Sequence, residues 1–304
     1  MTRAGVVTPL FPARETARDA AAGPQASDEA TPKPNAVEAS LHFAAGGGRT
    51  VLAHQRAPYP FHLTRPFYLD AARPDLATLY LQSASGGLYR GDRLELTIAT
   101  EAGAAAHVTT QASTIVHDTR GLHAVQRTRL AAKADSFLAY TPDPLVLFPN
   151  AVIESNTEIA LMPGANMIVC EGMAHHDPQA RARPFALYKA CTIVRDETGM
   201  VLLADRGAVK GSEIGGRASP LGPYRAAGSF VVLGPNAERC DAAALEECIG
   251  QAGCLAGFGR LPFSIGIGGR VLAPDGGTLA RGLEAAFALA FEALVGAPPA
   301  RRRK

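Results

Sequence analysis

From Leu41 onward, apolar and polar residues alternate in short runs that glycine, proline or aspartate brings to a stop. The runs are LHFAA, TVLAHQ, ATLYLQ, RLELTIA, HVTTQA, SFLAY, EIAL, NMIVCE, YKACTIV, MVLLAD and SFVVL. A period of two carried by β-branched residues is the pattern of strands buried on one side. RLELTIA is the plainest of them: Leu94, Leu96 and Ile98 share one face, and Arg93, Glu95 and Thr97 the other. A degenerate repeat overlies the alternation. Arg73-Pro74-Asp75 precedes LATLYL, Glu101-Ala102-Gly103-Ala104 precedes HVTT, Ala132-Lys133-Ala134-Asp135 precedes SFLAY, and Met162-Pro163-Gly164-Ala165 precedes NMIVC. Each unit reads as strand, tight turn, strand, and the step is roughly 30 residues. That spacing fits stacked β layers that share one continuous core. A plain antiparallel meander would give similar turns, and the pattern alone leaves both open.

The last quarter changes character. Asp241 is placed to cap a helix whose Leu245, Cys248 or Ile249, Ala252 and Leu255 fall on one face. Residues 262–273, PFSIGIGGRVLA, read as a hairpin with Gly268-Gly269 supplying a positive-φ turn. Thr278 is placed to cap a second helix. Its Leu279, Leu283, Phe287, Ala290 and Leu294 form an apolar stripe, while Arg281, Glu284 and Glu292 face away. Gly296 and Pro298 end it. The expected architecture is mainly β. A strand-rich body over residues 40–235 is followed by an α-β-β-α part over 236–298 packed on it, and by a solvated basic tail over 299–304. Residues 13–36 lack large apolar side chains. The whole of 1–39 is read as a leader that cannot repay its ordering entropy and stays disordered.

Composition narrows the function classes. With 47% hydrophobic and 19% charged residues the chain can bury a core. A net charge of +2 is too balanced for a nucleic-acid binder. No window reaches the ~18 apolar residues of a membrane span. The short apolar stretch Val6 to Phe11 is broken by Pro9 and is no signal peptide. The cysteines, Cys170, Cys191, Cys240, Cys248 and Cys254, are odd in number and lack CxxC spacing. They read as reduced, mostly buried thiols of a cytoplasmic protein.

The stretch SGGLYRGDRLEL, Ser85–Leu96, invites three readings. A phosphate loop needs GxxxxGK followed by serine or threonine at the head of a helix; here Gly91 is followed by Asp92-Arg93 and a strand. Arg90-Gly91-Asp92 as an adhesion triplet has only chance behind it. A structural turn fits better: Gly86-Gly87 bends the chain, Leu88 returns to the core, Gly91 allows close approach, and Asp92 stands at the strand entrance, facing backbone amides or a cavity. Nucleophilic catalysis finds no GxSxG elbow. His175-His176-Asp177, with Glu171 four residues before His175, is the densest cluster of metal-ligating residues, but adjacent side chains on a strand point to opposite faces. A metal-dependent hydrolase built on Glu171, His175, His176 and Asp177 is the alternative. A carbohydrate-binding β-solenoid ranks last, because the chain has no tryptophan and is only 6% aromatic. The sparse catalytic machinery points to a binding, scaffold or chaperone role.

GGLYRGDRLEL resembles the GG-x-x-x-GD-x-L segment of the urease accessory protein UreD family, also called UreH. Further segments resemble that family in the same order: Arg65-Pro66-Phe67-Tyr68, Leu79-Tyr80-Leu81, His107 to Ser113, Gln126, Pro142 to Ala151, Pro163-Gly164-Ala165 through Glu171, and Leu203-Ala204-Asp205-Arg206. The likeness runs over about residues 40–296. Two departures stand out: Cys170 occupies a position where relatives often carry tryptophan, and His175-His176-Asp177-Pro178 through Phe185 replaces a GRxAxGExF segment.

The resemblance implies a β-helix-like stack with two helices and a non-enzymatic role. It implies assembly with UreF, and through UreF with the GTPase UreG, on the urease apoprotein, with a possible dimer of that complex. It also implies nickel in transit through an internal hydrophilic tunnel, with no tightly bound cofactor. By position in the family motifs, Asp92, Ser113 and Glu171 would line that tunnel. Asp92 and Glu171 would act as transient ligands, Ser113 as an anchor for water or backbone, and His175 and His176 as an entrance. Weak oxygen and imidazole donors suit such a route, because a tight site would trap the ion. The competing readings are a turn brace for Asp92, a buried pairing with arginine for Glu171 and a local hydrogen bond for Ser113.

Overall fold

The computed structural model describes residues 36–215 and 219–302. The expectation of disorder for residues 1–35 lies outside the described residues. The strands are β1 (Ala36–Gly46), β2 (Arg49–Arg56), β3 (Phe61–Leu63), β4 (Ala77–Ser83), β5 (Arg93–Thr100), β6 (Ala105–Thr110), β7 (Ile115–Val116), β8 (Ala124–Ala132), β9 (Phe137–Thr141), β10 (Leu145–Leu147), β11 (Val152–Leu161), β12 (Asn166–His175), β13 (Leu187–Arg195), β14 (Val201–Lys210) and β15 (Ala226–Leu233). Helix α1 (Ala242–Gln251), β16 (Leu255–Arg260), β17 (Gly266–Ala273) and α2 (Gly276–Val295) complete the order.

The chain winds between two sheets. A 7-stranded sheet runs β14-β13-β11-β8-β5-β1-β2, and a 10-stranded sheet runs β16-β17-β15-β12-β9-β6-β4-β3, with β10 and β7 attached beside β12. From β4 to β13 the longer strands alternate between the sheets, and each pass lays a parallel strand on the one before: β5 on β8, β8 on β11 and β11 on β13 in one sheet, β4 on β6, β6 on β9 and β9 on β12 in the other. A narrow third face is made by the Leu88–Val116 bridge, the β7–β10 pair and the β10–β12 pair. The result is a solenoid-like stack of about 4 turns, which decides between the two readings of the repeat. Three of the repeat's turns are corners of the coil, and Gly103, Asp135 and Gly164 there all have positive φ.

Two apolar layers hold the stack. Between the sheets lie Leu79, Ile98, Val108, Leu130, Leu138 and Ile159. Outside the larger sheet, Ile168, Phe230 and Val271 meet Leu279, Leu283, Phe287, Ala290 and Leu294 of α2. Strand β12 is therefore covered on both faces, which is why eight of its ten residues are buried. Arg281, Glu284 and Glu292 of α2 face outward, as the stripe requires. Among the described residues no helix is long and apolar enough to cross a membrane.

Several expectations shift. Residues 36–39 belong to β1, where Ala39 is buried and the segment pairs in parallel with β5, so the leader ends earlier than its composition suggests. Leu255 opens β16 and is exposed, because α1 has already stopped at Gln251. Gly268 and Gly269 sit inside β17 and make no turn. The hairpin bends at residues 262–265, and glycine is needed at 269 because a Cβ there would run into Gly257 O and Phe258. Helix α2 is capped by Asp275, whose carboxylate accepts from Thr278 N, so Thr278 is the partner of the cap. The α-β-β-α order stands, but β17 pairs with β15 and extends the larger sheet. Of the thiols only Cys170 is fully buried. The tail is not wholly solvated: Arg302 is 7% exposed, lies over the Phe287 ring, and donates to Thr109 and Thr141.

Phe287 joins α2 to the coil, 2% exposed and stacked on His107 at 4.6 Å. Phe287→Ala should lower unfolding free energy by about 3–5 kcal/mol, read from denaturant midpoints at unchanged slope.

Candidate functional site

Register places every interior side chain in a row. Ile98, Leu130, Ile159 and Val194 make an apolar row across β5, β8, β11 and β13. Two residues along each strand the row reads Leu96, Thr128, Thr157, Thr192, and two further it reads Leu94, Gln126, Ser155, Ala190. Beyond that the interior is apolar again, with Ala124, Ile153 and Tyr188 in register. A band of hydroxyl and amide groups thus crosses the middle of an otherwise hydrocarbon core. Glu171 faces it from β12, in phase with Met167, Val169 and Met173.

Gln126 and Ser155 of this band line a cavity of ≈ 560 Å³ together with Tyr140, Glu171 and Tyr188, and Gly86, Gly87, Phe61 and Ser113 lie toward its rim. Glu171 is 9% exposed, and its carboxylate accepts from Thr157 Oγ1 and, at 3.4 Å, from Thr192 Oγ1. Burial raises its pKa; the two threonine hydroxyls and, more weakly, the Arg270 guanidinium oppose the rise. The expected alternative, a direct arginine partner, gives way to hydroxyls, since the Arg270 hydrogen bond goes to Asp205. Burial likewise pushes the phenols of Tyr140 and Tyr188 up, and a hydrogen bond with Thr128 moderates the rise at Tyr140.

The opening glycine-aspartate stretch forms the rim. Leu88 N donates to Ile115 O at 2.7 Å, and a Cβ on Gly87, whose φ is 139°, would collide with that same oxygen. Asp92 accepts from Tyr89 N at 2.8 Å through its carboxylate and so closes the turn. Asp92 lies outside the residues that line the cavity.

A second cavity of ≈ 630 Å³ lies between residues 142–146, the end of β12 and the start of α2. His175 and His176 line it, as do Glu284 and Arg302. Ser113, Pro142 and Asp143 are common to both cavities. His175 is half-buried, its Nδ1 has no hydrogen-bond partner among the described residues, and burial holds its pKa below the ordinary histidine value. His176 is exposed beside Phe148. Asp177 is bound by Arg183, which holds its carboxyl well below the usual range.

Glu171, His175, His176 and Asp177 are thus not brought together: the first lines one cavity, the two histidines another, and the aspartate is committed to an arginine. Among the described residues no three or more His, Cys, Asp or Glu side chains are grouped to hold a metal ion. The motif reading passed over Ser155, Thr157, Thr192, Tyr140 and Tyr188. Their signal is phase. Ser155 and Thr157 share the parity of Ile159, just as Gln126 and Thr128 share that of Leu130, which puts polar residues on the core side of strands.

Because the folded state binds the Glu171 proton more tightly than the unfolded chain does, its contribution to stability is complete below the ordinary glutamate value of 4.5 and is lost as pH rises through the folded pKa. Glu171→Gln should therefore unfold at higher temperature than the parent at pH 8, and the two should converge below pH 4.5. Each tenfold change in proton affinity corresponds to about 1.4 kcal/mol, and melting curves across pH measure it.

Sequence similarity to known proteins shows the family. Residues 35–304 match the family described as UreD urease accessory protein. The chain is 51% identical over 269 residues to urease accessory protein UreD 1 of Methylorubrum extorquens (strain PA1), covering 88% of this chain and 92% of that protein. It is 45% identical to urease accessory protein UreD 3 of Bradyrhizobium sp. (strain ORS 278), over 88% of this chain and 95% of the relative. It is 31% identical to UreD 1 of Pseudomonas syringae pv. syringae (strain B728a), over 89% and 97%. With a match over nearly all the described residues and relatives covered almost end to end, this chain belongs to the UreD urease accessory protein family, a family of urease maturation.

Proposed function

We propose that this chain makes and breaks no bonds itself. In the cytoplasm it binds apo-urease together with UreF and, through UreF, the GTPase UreG, and nickel passes through its interior cavity toward the urease active site. The observation that carries the reading is the polar band at mid-core. An unpaired polar group in hydrocarbon costs on the order of 1–3 kcal/mol, so a core built for stability alone would fill this space with aliphatic side chains. Gln126, Ser155 and Glu171 instead line an open space with oxygen ligands, and Thr157 and Thr192 hold the Glu171 carboxylate from behind.

Those donors suit cargo that must leave again. Hydroxyl, amide and carboxylate oxygens, Glu171 and Asp143 among them, bind a borderline divalent ion more weakly than thiolates, which would hold it. Cys170 packs on the opposite face of β12 beneath α2, where it lines the second cavity and not this one. Since burial favours the protonated form of Glu171, an arriving cation displaces a proton and a departing one lets it return. Ser113 and Asp143 connect this cavity to the one beside His175 and His176, which gives the entrance expected of those histidines a wall in common with the route. Asp92 contributes by holding the rim turn in shape. A hydrolase built on Glu171, His175, His176 and Asp177 has no single centre here at which to work.

Ser155→Leu fills the cavity without touching the surface, and Glu171→Gln removes its carboxylate. In an activation assay with UreF, UreG, GTP, nickel and apo-urease, each variant should still co-purify with UreF while nickel per urease active site falls several-fold. Full nickel content with both variants would overturn the conduit, and loss of co-purification with UreF would overturn the separation of docking from transit.

A further inference from the structure

The segment Leu203-Ala204-Asp205-Arg206 has no place in the lining of either cavity, yet the register gives Asp205 a definite position. Asp205 on β14 pairs with Thr192 on β13, so it continues the interior row Leu96, Thr128, Thr157, Thr192. On the facing sheet Glu171 pairs with Ser229 of β15, and Ser229 pairs with Arg270 of β17. Two polar rows therefore run from mid-core toward the same end of the coil, and they meet where Arg270 donates to Asp205. The flanking rows end differently. Leu203, Val231 and Leu261 close the interior on one side; on the other the row through Ser155 and Ala190 ends at exposed Gly207, and Val209, Ala227 and Ile214 pack on buried apolar residues around and beyond it. The ion pair itself is open to water, with side-chain exposures of 54% for Arg270 and 36% for Asp205.

We infer that Asp205 and Arg270 form a second mouth of the interior route: Asp205 is an oxygen ligand for a divalent cation between Glu171 and solvent, and the Arg270 guanidinium is the tethered cation that occupies it in the absence of metal. The inference rests on the conduit reading above. Tethering gives Arg270 a high local concentration at Asp205, so a dilute monovalent ion competes poorly. A divalent ion gains more from the aspartate and can exchange with the guanidinium.

The test uses the full chain co-purified with UreF. Arg270→Gln, Asp205→Asn and the charge exchange Asp205→Arg with Arg270→Asp are compared with the parent and with Glu171→Gln. Transfer of Ni²⁺ to apo-urease is timed, and melting temperature is followed on the same samples. Arg270→Gln should speed transfer several-fold, and Asp205→Asn should slow it several-fold. The charge exchange should bring the transfer rate back toward the parent. If the pair only braces two sheet edges, the variants shift melting temperature and leave transfer at the parental rate, which would overturn the mouth alone. Transfer that is unimpaired in Glu171→Gln would overturn the conduit and this inference with it.

Discussion

A carboxylate inside a β coil must be held by whatever the register brings opposite it. In this chain that is a ladder of threonines. Thr128, Thr157 and Thr192 stack in one row because β8, β11 and β13 are parallel and in step, and the last two give their hydroxyl protons to Glu171. A shift of one residue in β8 or β11 would turn the hydroxyls outward and bring Arg127, Arg129 or Glu158 into the core. Those charges instead form a network outside, with Arg127 and Arg129 both on Glu95, so the outer surface and the inner band enforce the same register. Helix α2 completes the arrangement by covering the far face of β12, which leaves Glu171 a direction but little freedom.

The chemistry follows from how little charge the band carries. Hydroxyl and amide groups surround Glu171, and burial makes its carboxyl prefer the proton. In the conduit proposed above, an arriving cation has to displace that proton, and this keeps its hold on the ion weak. Arg270 and Asp205, joined to each other at the end of the coil, bear on Glu171 with opposite sign.

The legibility of this molecule in its sequence follows the same division. All eleven alternating runs are strands, because their interior faces are hydrocarbon. Strand β8, AVQRTRLAA, and the first half of β11, VIESNT, escaped the pattern because their interior residues are Gln126, Thr128, Ser155 and Thr157. Alternation between polar residues and other polar residues gives no hydrophobic signal. The strands hardest to see are therefore the ones that build the site. Glu171 was accessible through family resemblance, but the threonines that hold it were not, since nothing in a single threonine shows which residue of the facing sheet will accept its proton. Asp241 caps α1 and Gly296 ends α2 as the pattern requires, and the departures elsewhere have local reasons. Asp275 outcompetes Thr278 as a cap because a carboxylate is the stronger acceptor, and Phe263 and Ser264 take the positive φ that was assigned to a glycine pair.

The same strands that line the cavity also hold the end of the chain, and this links interior to surface. Thr110 and Tyr140 line the first cavity from β6 and β9. Their neighbours Thr109 and Thr141, on the outward faces, accept hydrogen bonds from Arg302, whose guanidinium also lies over Phe287 of α2. Alternation along a strand makes the residues before and after a given position its opposite face. A group that pulls on Thr141 outside therefore moves the backbone that carries Tyr140 inside. The packing of α2 and the C-terminal segment on β6 and β9 is in this sense part of the cavity's wall, and the helices that look like an appendage in the sequence help set the shape of the space the coil encloses.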